Sequence, residues 1–187
     1  ALDYIGHSVS AAGDVNGDGF DDVIVGRYLH DHRGDRSGSA YVVFGSAAAS
    51  DSYFYDYNWQ FGLGNGFVIN GASAEDYVGL RISAAGDVNG DGLDDVIIGA
   101  PDADPNGVTS GSAYVVFGTT STSPIELADI ENEQGGGFVI NGVDNHDFAG
   151  YVSAAGDIND DGLDDVIVGV RNADFGDPNA IDPLTNL

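Results

Sequence analysis

The 187-residue chain contains no cysteine and no methionine, and its five basic residues are all arginines (Arg27, Arg33, Arg36, Arg81 and Arg171). Without cysteine there is no disulfide framework, no thiolate metal site and no cysteine nucleophile. Without lysine there is no Schiff-base chemistry and no Walker-type phosphate loop. Positive charge is scarce throughout: five Lys+Arg stand against 31 Asp+Glu, a formal charge of -26, so a nucleic-acid backbone is repelled. No apolar run approaches the roughly 20 residues that cross a membrane. No Asn-x-Ser/Thr sequon occurs. The residues from Ala1 onward form neither a charged n-region nor an apolar h-region, which reads as a processed chain or an internal piece. Hydrophobic residues make up 42%, enough for a packed core and unlike a disordered chain.

What is present is a repeat. SAAGDVNGDGFDDVIVG runs from Ser10 to Gly26, SAAGDVNGDGLDDVIIG from Ser83 to Gly99, and SAAGDINDDGLDDVIVG from Ser153 to Gly169. Their first aspartates, Asp14, Asp87 and Asp157, set a period of 73 and then 70 residues, the size of a supersecondary unit. SAYVVFG recurs at Ser39 and Ser112, and GFVING at Gly66 and Gly137, in the same phase. These runs are β-branched and aromatic, bounded by glycine, and no helical stripe competes with them. The fold class is therefore all-β: four antiparallel strands in the first repeat (1–71), four in the second (72–142) and two in the third (143–187), as propeller blades whose neighbours cover one another's faces. A β-solenoid is the runner-up. About two and a half blades cannot close a ring in a single chain.

Each copy also carries D-x-N-x-D-G-x-x-D, oxygen donors at alternating positions of a tight loop, as a hard cation requires. The candidate ligands are Asp14, Asn16, Asp18, the carbonyl of Phe20 and Asp22; Asp87, Asn89, Asp91, the carbonyl of Leu93 and Asp95; and Asp157, Asn159, Asp161, the carbonyl of Leu163 and Asp165. Glycine at the sixth position (Gly19, Gly92, Gly162) suits the reversal around an ion. Asp21, Asp94, Asp160 and Asp164 add charge without being read as ligands, so an empty loop is a cluster of like charges that calcium would relieve. Magnesium fits less well because it keeps its waters, and soft metals want imidazole or thiolate. An EF-hand would need Glu at position twelve, where Val25, Ile98 and Val168 stand, and flanking helices where strands are read. The expectation is three Ca2+ sites.

These residues resemble the FG-GAP repeats of integrin α-subunit propellers and their bacterial relatives. The resemblance rests on DYIGHSVSAAGDVNGDGFDDVIVG, DYVGLRISAAGDVNGDGLDDVIIGAP and DFAGYVSAAGDINDDGLDDVIVG, with SAYVVFG and GFVING in the first two, and spans nearly the whole chain. It implies seven blades in the parent family, with the ion between the first two strands of a blade. The phenylalanine-glycine signature is loosened to Tyr4-Ile5-Gly6, Tyr77-Val78-Gly79 and Phe148-Ala149-Gly150, and the third copy is one residue shorter before its loop.

If the metal loop joins the first two strands, alternation puts 27–38, 72–77, 100–111 and 143–147 at the opposite end. By similarity to integrin α-subunits, that end would meet a protein or carbohydrate ligand. Arg33-Gly34-Asp35 lies there and reads as a solvated charged turn rather than a receptor signal. The connector 46–65 gathers Tyr53, Phe54, Tyr55, Tyr57, Trp59 and Phe61, read as capping a blade in preference to forming a contact surface, while 119–136 has no aromatics. Ser8 lacks a nucleophile elbow, and His7, His30, His32 and His146 show no metal or triad spacing, so no enzyme is expected. Two classes of function follow: an extracellular, calcium-stabilised adhesion or recognition module, or a structural subunit whose incomplete blades are completed by neighbouring copies in a homo-oligomer or filament.

Overall fold

The computed structural model describes residues 4–47 and 66–173, and the aromatic part of the first connector lies outside them. The first sheet holds β1 (Val9–Gly13), β2 (Asp22–Arg27), β3 (Ser39–Val43) and β4 (Gly66–Asn70) in antiparallel order. The second holds β5 (Arg81–Gly86), β6 (Asp95–Ala100), β7 (Ser112–Val116) and β9 (Gly137–Asn141), and the third holds β10 (Ala149–Gly156) and β11 (Asp165–Val170). The four, four and two strands read from the repeats are all present among the described residues, and one further short strand joins the first sheet. The whole is an all-β array of partial propeller blades with no closed barrel. No helix among the described residues is long and apolar enough to cross a membrane.

The blades pack face to face, and side-chain alternation decides which residues meet. Ala12, Val15, Ile24, Val42, Phe67 and Ile69 of the first blade share one core with Val78, Ile82, Val96 and Ile98 of the second. Ala85, Ile97, Ala113 and Val115 of the second form another, against Val152, Val166 and Val168 of the third. The run DVIIGA of β6 is buried at every position because the middle blade is covered on both faces. A fully buried branched side chain in such a seam stabilises by about 1.5–3 kcal/mol.

Two elements are absent from the strand reading of the repeats. β8 (Ile125–Glu126) leaves the second blade and pairs parallel with β4, becoming the fifth strand of the first sheet, and α1 (Leu127–Glu131) buries Leu127 and Ile130 in the first core. Glu126 closes this crossing: Arg33 Nε donates to its Oε2 (2.9 Å) and Asn70 Nδ2 to its Oε1 (2.8 Å).

Each first strand ends in a register shift, between Ala11 and Gly13, Ala84 and Gly86, and Ala154 and Gly156, a bulge that tips the chain into the following loop. Gly13, Gly86 and Gly156 have φ of 75°, 74° and 66°. A Cβ on Gly13 or Gly86 would fall on the carboxylate of Asp94 or Asp164, whereas nothing lies within 4 Å of one on Gly156. Gly156→Ala is therefore expected to cost about 1 kcal/mol, the left-handed backbone alone. Gly13→Ala adds a collision inside a packed seam and is expected to cost at least about 3 kcal/mol. Urea unfolding of the two variants side by side checks the difference, and equal losses would contradict this account of the seam.

Candidate metal centre

The loops 14–21, 87–94 and 157–164 join the first two strands of each blade, at one end of the array. Within the first loop Asp14 is an anchor for the backbone: the amides of Gly17 (2.8 Å) and Asp18 (3.0 Å) donate to its Oδ1 and that of Gly19 (2.8 Å) to its Oδ2. Asn16 Oδ1 accepts from Asp18 N, and Asp18 Oδ1 from Phe20 N. The second loop repeats these bonds on Asp87, Asn89 and Asp91, and the third keeps the corresponding bonds of Asp161, Gly162 and Leu163 to Asp157, Asn159 and Asp161. The sixth-position glycines Gly19, Gly92 and Gly162 have φ of 88°, 88° and 90°, the reversal expected of them.

The ninth-position aspartates sit lower. Asp22 and Asp95 are 1% and 0% exposed, and each holds two amides: Val15 and Gly45 donate to Asp22, Val88 and Gly118 to Asp95. They staple the loop to the exit of the third strand. Asp165 accepts only from Ile158 N among the described residues. Burial pushes the carboxyl groups of Asp22 and Asp95 up, Asp95 to about 6; their amide donors pull the other way, and Asp14 with Asp18, or Asp87 with Asp91, raise them further. At Asp157, amide donation led by Gly162 lowers the carboxyl instead.

Sequence reasoning missed the work of Asp94 and Asp164. The Asp14 amide donates to Asp94 Oδ2 (2.7 Å) while the Asp94 amide donates to the Asp14 carbonyl (3.1 Å), and Asp87 with Asp164 repeats the pair at 3.0 Å and 3.0 Å. The first loop is thus clamped to the second, and the second to the third, by the eighth residue of the later loop. The signal available was Asp at that position in all three copies.

The FG-GAP repeat model matches residues 6–43 and 79–116, each a first strand, a loop and the two strands after it. The chain carries FG-GAP repeats. Among curated proteins it is similar to integrin alpha-IIb of Mus musculus, 30% identical over 181 residues, covering 91% of this chain and 15% of that protein. It is also similar to integrin alpha-PS3 of Drosophila melanogaster, 27% identical over 175 residues (92% of this chain, 14% of that protein). Integrin alpha-5 of Xenopus laevis is 30% identical over 139 residues (64% and 12%). The chain thus spans about 15% of the length of the first of these relatives.

The donor set of these loops is oxygen throughout, and each loop is preformed by amides bonded to its first aspartate. No ion pair among the described residues reaches a loop carboxylate. No three His, Cys, Asp or Glu side chains among them converge as a metal cage. Asp14, Asp18 and Asp22 all accept amide hydrogen bonds, and Asn16 and the Phe20 carbonyl are candidate donors of other kinds. A carboxylate has about four lone-pair directions, so an oxygen that accepts one amide keeps capacity for a cation.

At the opposite end the four loops pair as the strand alternation requires. Glu75 N bonds Asp35 O, and Arg36 reaches Tyr77 Oη (2.8 Å) and Glu75 Oε1 (3.0 Å); His146 N bonds Val108 O. Arg33-Gly34-Asp35 is a tethered turn, with Arg33 on Glu126 and Asp35 on Arg36 (3.0 Å). His30 Nδ1 lies 2.7 Å from Ser39 Oγ, a proximity the spacing of the two did not show. Ser39 is fully buried and its hydroxyl donates to Gly38 O, so the pair is a polar clip.

A cavity of about 500 Å³ opens at this end, lined by Asp76, Asp104, Glu131, Ser112 and Asn141 among others. Burial, with Glu131, Asp104 and Asp102 nearby, pushes Asp76 up to about 7 from an ordinary value of 3.8, against the pull of the Ser73 amide. The folded chain therefore binds the more protons in that window, and Asp76 makes stability fall as pH rises from about 4 to 7. Asp76→Asn keeps an acceptor for Ser73 and is expected to remove that slope. Urea unfolding should show variant and parent equal near pH 4 and the variant more stable at pH 8; parallel curves would contradict the assignment.

Proposed function

We propose that the chain is a calcium-binding, non-catalytic, extracellular FG-GAP propeller module for adhesion or recognition. Three ions would be held by Asp14, Asn16, Asp18, the Phe20 carbonyl and Asp22, and by the corresponding residues of the other two loops. The observation that carries the reading is the same amide-anchored, all-oxygen loop in three adjacent blades, with no cationic partner for it among the described residues. Calcium would supply the missing positive charge and accepts an irregular shell of oxygen ligands. Loops of this kind in modules outside the cell bind at about 10⁻⁴ to 10⁻³ M, which supports extracellular placement. The end opposite the loops is offered to a protein or carbohydrate ligand, as the similarity to integrin α chains suggests.

Calorimetric titration of the metal-free chain tests this. About three equivalents of calcium are expected, with magnesium at least tenfold weaker because it gives up its waters reluctantly. No calcium heat up to about 10 mM, well above that affinity range, would overturn the proposal.

A further inference from the structure

The first two loops touch through three consecutive residues of the second. Leu93 lies over Gly17 of the first loop, where a Cβ would stand 2.8 Å from Leu93 Cδ2. Asp94 holds both sides of Asp14: its Oδ2 accepts from the Asp14 amide (2.7 Å), and its own amide donates to the Asp14 carbonyl (3.1 Å). Asp95 reaches the same stretch through the residues just past β7. Gly118 N donates to Asp95 Oδ1 (2.8 Å), and the next amide, Thr119 N, donates to the Val15 carbonyl (2.9 Å). The second seam repeats the first two of these links, with Leu163 over Gly90 (2.9 Å) and Asp164 bonded twice to Asp87 (3.0 Å each).

The Leu93 carbonyl and the Asp95 carboxylate belong to the candidate donor set of the second loop, and Asp94 stands between them in the chain. What the three residues hold on the far side of the seam is the first candidate ligand of the first loop. Asp14 takes the amides of Gly17, Asp18 and Gly19 on its carboxylate, so the setting of its backbone frames that whole loop. In an ion-free loop 93–95 are held by hydrogen bonds and packing alone. Ligation by the Leu93 carbonyl and Asp95 tightens them, and Asp14 is tightened with them.

We propose that the three loops fill cooperatively, each seam passing the order of one loop to its neighbour, with Asp94 and Asp164 as positioning residues; the coupling rests on calcium binding at these loops. Filling either loop of a pair raises the affinity of the other by the same factor, because a coupling between sites is reciprocal. About tenfold per seam is expected, within the usual range of about 5–150-fold.

A calcium titration of the 15N-labelled 187-residue chain followed by NMR tests this. It is read at the amides of Gly19, Gly92 and Gly162, one per loop, each bonded to the first aspartate of its own loop. In the parent the three signals should move together with a Hill coefficient above about 1. Asp91→Asn, which touches only the second loop's donor set, should raise the Gly19 midpoint about threefold, since the parent midpoint averages coupled and uncoupled affinities. Asp94→Ala should remove most of that response: the Gly19 midpoint of the double variant should stay close to that of Asp94→Ala alone. Asp94→Asn keeps an acceptor for the Asp14 amide and should preserve the response. A merely structural clamp would shift the Gly19 midpoint in Asp94→Ala yet leave it insensitive to Asp91→Asn in every background. A Gly19 midpoint unchanged by Asp91→Asn, or lowered by it as repulsion between ions would do, overturns the coupling and leaves calcium binding standing. Glycine signals that calcium moves in no loop overturn both.

Discussion

Chelation of calcium is expected to lower the thermal midpoint of this chain by about 20 °C. The size follows from linkage in calcium at about 10 mM, a hundred times a dissociation constant of about 10⁻⁴ M: each site then stabilises by about 2.7 kcal/mol, three sites give about 8 kcal/mol, and a chain of this length loses about 2–4 °C per kcal/mol. The direction follows from charge. Asp14, Asp18 and Asp22 share one loop, burial raises the carboxyl of Asp22, and the charges of Asp18 and Asp14 raise it further, which is the repulsion a cation would cancel. Because the loops lie side by side through the Asp14–Asp94 and Asp87–Asp164 clamps, loss of ions from them is expected to loosen the seams as well as the loops. Differential scanning calorimetry with calcium, with magnesium and with chelator should rank the midpoints in that order. Equal midpoints would mean that the loops are acidic turns held by their own amides.

The second large effect separates binding from scaffolding inside one loop. Asp95 is fully buried and accepts from Val88 and Gly118, both at or near 2.9 Å. Asp95→Ala strands two buried amides at about 1–3 kcal/mol each, so a loss of about 3–5 kcal/mol is expected, only partly offset by removal of a carboxylate that burial disfavours. This loss persists in chelator. Asp91→Asn, at an exposed position of the same loop, leaves those amides satisfied. It should weaken calcium at that loop about tenfold, while in chelator its stability equals or slightly exceeds that of the parent because one like charge is gone. If both variants lost stability only in the presence of calcium, Asp95 would be a simple ligand and the stapling role would be wrong.

The strands and loops were legible because the repeat states them three times: seventeen residues recur nearly unchanged, and their glycines fall where the backbone turns left-handed, at Gly19, Gly92 and Gly162. β8 and α1 were not legible. A two-residue strand and a five-residue helix are too short for a periodicity to repeat, and Ile125 extends the first sheet by pairing with Ile69, far away in sequence. The clamp of Asp94 on Asp14 spans 80 residues and leaves no local mark beyond an aspartate beside another aspartate. In the ligand set, oxygen content was readable from residue types. The division between loop anchors such as Asp14 and buried staples such as Asp22 depends on amides brought in by the neighbouring strand, Gly45 among them.

A crystal structure of the chain grown with calcium at several millimolar tests the central claim most directly. The account predicts one ion in each loop, 2.3–2.6 Å from oxygens of Asp14, Asn16, Asp18, Phe20 and Asp22 and from their counterparts in the other two loops. Loops closed on their own amides, with no density for an ion in calcium-soaked crystals, would contradict it.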